Sequence, residues 1–138
     1  MTYKLSSILS IILMLSFLYS TAQTTNVDFT LTSNQAHISG QDISITSTIE
    51  KNGHTITWTQ TNNGKTDTAT FTIVGIPQNN WEASSSSGTI TYEMNTDGYR
   101  CDLFLKGTTL NRYATLTFHL NETEREIYTF YINNISYQ

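Results

Sequence analysis

Three histidines, one cysteine and a few carboxylates are the side chains of this 138-residue chain with the chemistry for catalysis or metal binding, and their spacing favours neither. His37, His54 and His119 fall in different segments, with no two at the short separations a compact zinc site prefers. Glu82, Glu93, Asp97 and Asp102 could form an acid and base pair, but glycoside hydrolysis needs two carboxyls about 5–10 Å apart, and chain order does not supply that proximity. The serine run 84–87 lacks the Gly-x-Ser-x-Gly setting of a nucleophile elbow. The expectation is a protein that is not an enzyme and that carries no metal or other cofactor.

Cys101 lies in Tyr99-Arg100-Cys101-Asp102-Leu103-Phe104-Leu105, where two-residue alternation sets it beside Leu103 and Leu105 on the apolar side. A buried thiol acting as a small hydrophobe is expected, with no partner in the chain for an internal disulfide.

A second group of side chains suits recognition rather than reaction. If Leu103 and Leu105 point inward, Phe104 points out. By the same rule, inward Ala114 and Leu116 leave Tyr113 and His119 outside, and inward Phe130 and Ile132 leave Tyr131 outside. Exposed rings on neighbouring strands form a platform on which the apolar face of a sugar ring can stack. Trp81, among Asn and Ser residues, would either extend such a platform or plug an open end of the fold. The candidate ligand-binding residues are therefore Trp81, Phe104, Tyr113, His119 and Tyr131, with a carbohydrate or another extracytoplasmic protein as partner.

Export is inferred from the first 22 residues. Lys4, the largely apolar run from Leu5 to Leu18, and small Ser20 and Ala22 fit a cleaved signal peptide ending at Ala22, leaving 23–138 as a single domain. The apolar run is too short and too often broken by serine to span a membrane, so no stable span is expected after cleavage. The destination is a secreted, periplasmic or cell-surface location. A formal charge of −4, with Lys and Arg scattered singly, argues against nucleic acid and anionic lipid as partners. Asn121-Glu122-Thr123 and Asn134-Ile135-Ser136 match the glycan acceptor triplet and are read as incidental.

The elements that must hold the rings are strands. Ile43, Ile45 and Ile49 alternate with polar residues, as do Ile56 and Trp58, then Ala69, Phe71 and Ile73. The order continues through Ile90, Tyr92 and Met94, then Leu116, Phe118 and Leu120, then Tyr128, Phe130 and Ile132. Such period-two patterning predicts half-buried strands near 27–32, 42–50, 54–61, 67–74, 88–95, 99–106, 112–120 and 125–132, with an extension toward 136. Asn52-Gly53, Asn63-Gly64 and Asp97-Gly98 predict hairpins, and hence antiparallel pairing. The stretch 76–87, with its only proline at Pro77, reads as a long loop crossing between layers. The predicted fold is an all-β antiparallel β-sandwich of about seven or eight strands, with a small up-and-down β-barrel as the alternative. An outer-membrane barrel is disfavoured, because most strands carry too few apolar residues for a lipid-facing band.

Threonine alternates along several of these strands, at 46 and 48, from 55 to 61, from 68 to 72, at 89 and 91, and at 115 and 117. In outline the pattern resembles the threonine faces of some ice-binding proteins, which implies a surface ordered enough to match a water lattice. Thr is also simply the polar residue best suited to an exposed strand. The second functional expectation is a structural or surface-assembly protein that uses this Thr-rich face.

Overall fold

The computed structural model describes residues 27–138; the expected signal peptide lies outside them. Alternating apolar side chains and β-branched threonines give eleven strands. They are β1 (Phe29–Ser33), β2 (Ala36–Ile38), β3 (Gln41–Ile43), β4 (Thr46–Asn52), β5 (Thr55–Asn62), β6 (Lys65–Glu82), β7 (Ser87–Thr96), β8 (Tyr99–Gly107), β9 (Arg112–His119), β10 (Arg125–Tyr131) and β11 (Asn134–Tyr137). All belong to one antiparallel sheet curled into a half-barrel, in the order β11-β1-β4-β5-β6-β7-β8-β9-β10-β2-β3. No helix among the described residues is long and apolar enough to cross a membrane.

The two separate layers of a sandwich are not observed. The segment expected to cross between them instead continues β6 to Glu82, paired with β7. Its register shifts between Ile73 and Gly75 and again between Gly75 and Gln78. Pro77 falls in the second shift, where the N–H it lacks is not required by the ladder, so the strand bends without ending. Turn chemistry is as the sequence suggests. Asn63-Gly64 and Asp97-Gly98 both hold paired positive φ values of 51° and 77°, and 46° and 81°, the backbone that a two-residue hairpin of matching twist requires.

The first and last long stretches of chain pair with each other. Phe29 to Thr32 lie opposite Tyr137 to Asn134, and Ala36 to Ile38 lie opposite Phe130 to Tyr128, which is one unbroken offset. Between these runs Tyr131 donates its N–H to the Gln35 carbonyl at 3.2 Å, and Asn133 donates to the Thr32 carbonyl at 2.8 Å. Both stretches change faces here together. Phe29, Leu31 and Ser33 are buried and then Ala36 is; on the partner, Phe130 is buried, and Ile135 and Tyr137 pack on the core.

Curling brings distant strands into contact across the interior. Trp58 of β5 lies 5.2 Å from Tyr128 and 5.4 Å from Phe130 of β10 by ring centroids, and Phe29 of β1 lies 6.1 Å from Tyr92 of β7. Leu31, Ile49, Ile56, Phe71, Met94, Leu103, Leu105 and Leu116 fill the space between them. Each such side chain contributes about 1.5–3 kcal/mol on burial, which supports the fold without a disulfide. One end is capped by the turn after β6. Trp81 Nε1 donates to Tyr137 Oη at 3.0 Å, Ser86 Oγ meets the same hydroxyl at 2.7 Å, and Arg112 Nε donates to the Ser86 carbonyl at 3.1 Å. Gly107 must be glycine there, since a Cβ would lie 2.3 Å from the Ser86 carbonyl oxygen.

Lys51 is fully buried, and its ammonium donates to Asp28 Oδ1 at 2.7 Å; the same oxygen accepts the Gly53 N–H at 2.9 Å. The Lys51 hydrogen bond first, and then the Gly53 N–H, hold the Asp28 carboxyl below the usual carboxylate range. A lowered folded pKa contributes stability that is fully present above the unfolded value near 3.9 and is lost as pH falls through the folded value. Asp28→Asn is expected to lower stability at pH 7 by about 1.5–3 kcal/mol and to flatten the loss below about pH 4, as read by urea denaturation across pH. An unchanged acid limb in the variant would contradict this assignment.

Candidate functional site

Pairing of β7 to β10 arranges their outward side chains in rows. Lys106, Tyr113 and Tyr131 form one row; Thr91, Phe104, Thr115 and Thr129 the next; then Glu93, Asp102, Thr117 and Ile127; and last Asn95, Arg100, His119 and Arg125. Beneath them Leu105, Ala114 and Phe130, then Leu103 and Leu116, are buried in the core. The rings therefore sit on a sheet whose reverse side is packed solid.

Three of the five expected ligand-binding residues meet on this face. Tyr113 and Tyr131 are direct cross-strand partners, and Phe104, opposite Thr115, is a diagonal neighbour of Tyr113. Tyr131 is 44% exposed, and Phe104 and Tyr113 are half-buried. Thr115 and Thr129 share a hydroxyl contact at 3.3 Å beside them, and exposed Lys106 borders the row. The other two expected residues lie elsewhere. His119 is six residues farther along β9, about 20 Å away on the same face. Trp81 packs on the core in the end cap, which matches the plugging role rather than an extension of the platform.

His119 belongs to a charged group whose composition is visible only once the register is known. Its Nε2 lies 2.7 Å from Asp102 Oδ2, while Asp102 Oδ1 makes no hydrogen bond and is approached by Arg100 Nε at 3.5 Å. Arg100 Nη2 reaches Glu93 Oε1 at 3.6 Å. A carboxylate holding a histidine is the orienting half of a nucleophilic triad, yet among the described residues no hydroxyl or thiol bonds to this ring. Nor do three His, Cys, Asp or Glu side chains among them stand close enough to share a metal ion.

A different outer face is carried by β4, β5 and β6. Its rows are Thr46, Thr61 and Thr66; Thr48, Thr59 and Thr68; Glu50, Thr57 and Thr70; and Asn52, Thr55 and Thr72. Ten of these twelve positions are threonine, so Glu50 is the one charge in the array. Thr61 and Thr66 hydroxyls lie 2.9 Å apart, and those of Thr59 and Thr68 3.4 Å apart.

Cys101 is fully buried between these faces, and its thiol is pushed up to about 12, by burial first and by the charge of Asp102 second. Ellman titration of the folded protein at pH 8 is expected to show no reacting thiol, and one after unfolding in guanidinium. Prompt reaction in the native state would contradict the burial. Comparison of the chain with protein-family models, with curated proteins and with solved structures returns no match.

Proposed function

We propose that the chain is an exported, non-enzymatic binding module. In this reading the curled sheet is a closed up-and-down barrel of eight long strands, and it recognises a saccharide or a protein partner outside the cytoplasm through the outer face of β7 to β10. The pairing of the first stretch with the last at one offset supports the barrel. The observation that carries the binding role is the juxtaposition of Tyr131 and Tyr113 across one rung, with Phe104 on the diagonal, over a filled core. Ring platforms of this kind offer apolar area to the C–H face of a pyranose, while Lys106, Thr115 and Thr129 serve its hydroxyls. Recognition belongs on the outside in this reading, because side chains occupy the interior.

A glycan array probed with the exported protein tests the reading. Binding is expected to weaken by about 0.5–1.5 kcal/mol, or roughly 2- to 10-fold, in each of Tyr131→Ala and Tyr113→Ala. Binding unaffected by either substitution, or an array without any signal, would argue against the saccharide form of the proposal.

The threonine array supports a second reading, a surface protein that assembles through β4 to β6. Cross-strand threonine pairs are individually weak, at about 0.2–1 kcal/mol, but a nearly uncharged array lets identical faces approach without repulsion. Sedimentation at rising concentration is expected to show oligomers that Thr57→Lys together with Thr68→Lys abolishes. A wild-type protein that stays monomeric at high concentration would remove this reading.

A further inference from the structure

The ladder joining β1 and β2 to β4 and β3 is interrupted once. Ser33 pairs with Ser47 and Ala36 with Ile43, so Asn34 and Gln35 face the three residues 44–46. This two-against-three mismatch is a bulge, and it coincides with the point where β1 and β2 change faces. The strands part here and leave a cleft of about 610 Å³, bounded by the bend on one side and by the tip of the β5–β6 hairpin on the other.

The cleft has a fixed frame. Asn34 donates its N–H to Asn133 Oδ1 at 2.8 Å, Ser33 Oγ donates to the Gln35 carbonyl at 2.8 Å, and the Tyr131 N–H reaches that same carbonyl. With the backbone held by neighbours, the side-chain amides of Asn34, Gln35, Asn62 and Asn63 make no hydrogen bond within the described residues and border the opening with Thr61. Ile45, only 8% exposed, supplies an apolar patch. No charged or aromatic side chain lines the space.

We propose that this cleft binds an uncharged, polyhydroxylated ligand, a short neutral saccharide, through those four amides. Each amide both donates and accepts, as a hydroxyl does, so neighbouring hydroxyls can be matched in pairs. A charged ligand would find no counter-charge, and a wholly apolar one would find little beyond Ile45. The site is independent of the aromatic-face reading, although Tyr131 belongs to both neighbourhoods through its backbone bond to Gln35.

Two-dimensional NMR of the ¹⁵N-labelled exported protein tests it directly, with maltotriose, xylotriose and chitotriose as probes and trigalacturonate as the charged control. Saturable shifts of the side-chain amide signals of Asn34, Gln35, Asn62 and Asn63 are expected with at least one neutral trisaccharide and not with the control. Asn62→Ala and Asn63→Gly should each weaken that binding by about fivefold at an unchanged melting temperature. Glycine at 63 preserves the turn, whose φ there is positive. Absence of saturable shifts with all three neutral sugars overturns the proposal. Shifts confined to Tyr113 and Tyr131 also overturn it, while leaving the aromatic-face reading in place.

Discussion

Backbone pairing between the first stretch of strand and the last is the constraint on which the other features depend. A sheet of this length has two rows of unpaired N–H and C=O groups unless its ends meet, and such rows invite pairing with other chains. Here Phe29 to Ile38 and Tyr128 to Tyr137 satisfy one another along a single offset. That junction decides which side of every strand is inside, and so which residues are free to act as surface. It also requires both stretches to switch faces together, at Ser33 to Ala36 and at Tyr131 to Ile135. A switch in one alone would turn a row of apolar side chains toward water.

The interior that results is a solid one. Rings from β5, β6, β9 and β10 meet across it, and the end cap of Trp81, Ser86 and Tyr137 covers one mouth. Lys51 is the one charged side chain among the buried described residues, and its ammonium is tied to Asp28, at the entry to β1. That ion pair connects the start of the first strand to the β4–β5 turn through the Gly53 N–H. With the inside occupied, the chemical variety of the molecule is sorted onto the outside: rings on one flank, threonines on another, amides at the bend.

Much of this sorting was legible in the sequence, for a local reason. Alternation and Asn-Gly or Asp-Gly turns are short-range signals, so the hairpins and the common face of Phe104, Tyr113 and Tyr131 follow from neighbours in the chain. What was not legible depends on long-range register. β6 runs through Pro77 because shifts in the ladder remove the need for its N–H, a condition set by β7 and not by the local residues. The three-residue strands β2 and β3 are too short to show a period. Sandwich and curled sheet share the same hairpins and differ in whether the first strand meets the last, a pairing about a hundred residues apart. The Asp102–His119 contact and the amide cleft were hidden for the same reason. One joins β8 to β9 at a particular rung, and the other exists only where a ladder breaks.

The most direct measurement is a set of backbone nuclear Overhauser contacts and amide exchange rates along the junction of Phe29–Ile38 with Tyr128–Tyr137. Contacts between the backbones of Leu31 and Ile135 and of Ala36 and Phe130 are expected, with slow exchange at the Tyr131 and Asn133 amides. Free exchange at both amides, or contacts placing either stretch against a different strand, would contradict this pairing and the surfaces that follow from it.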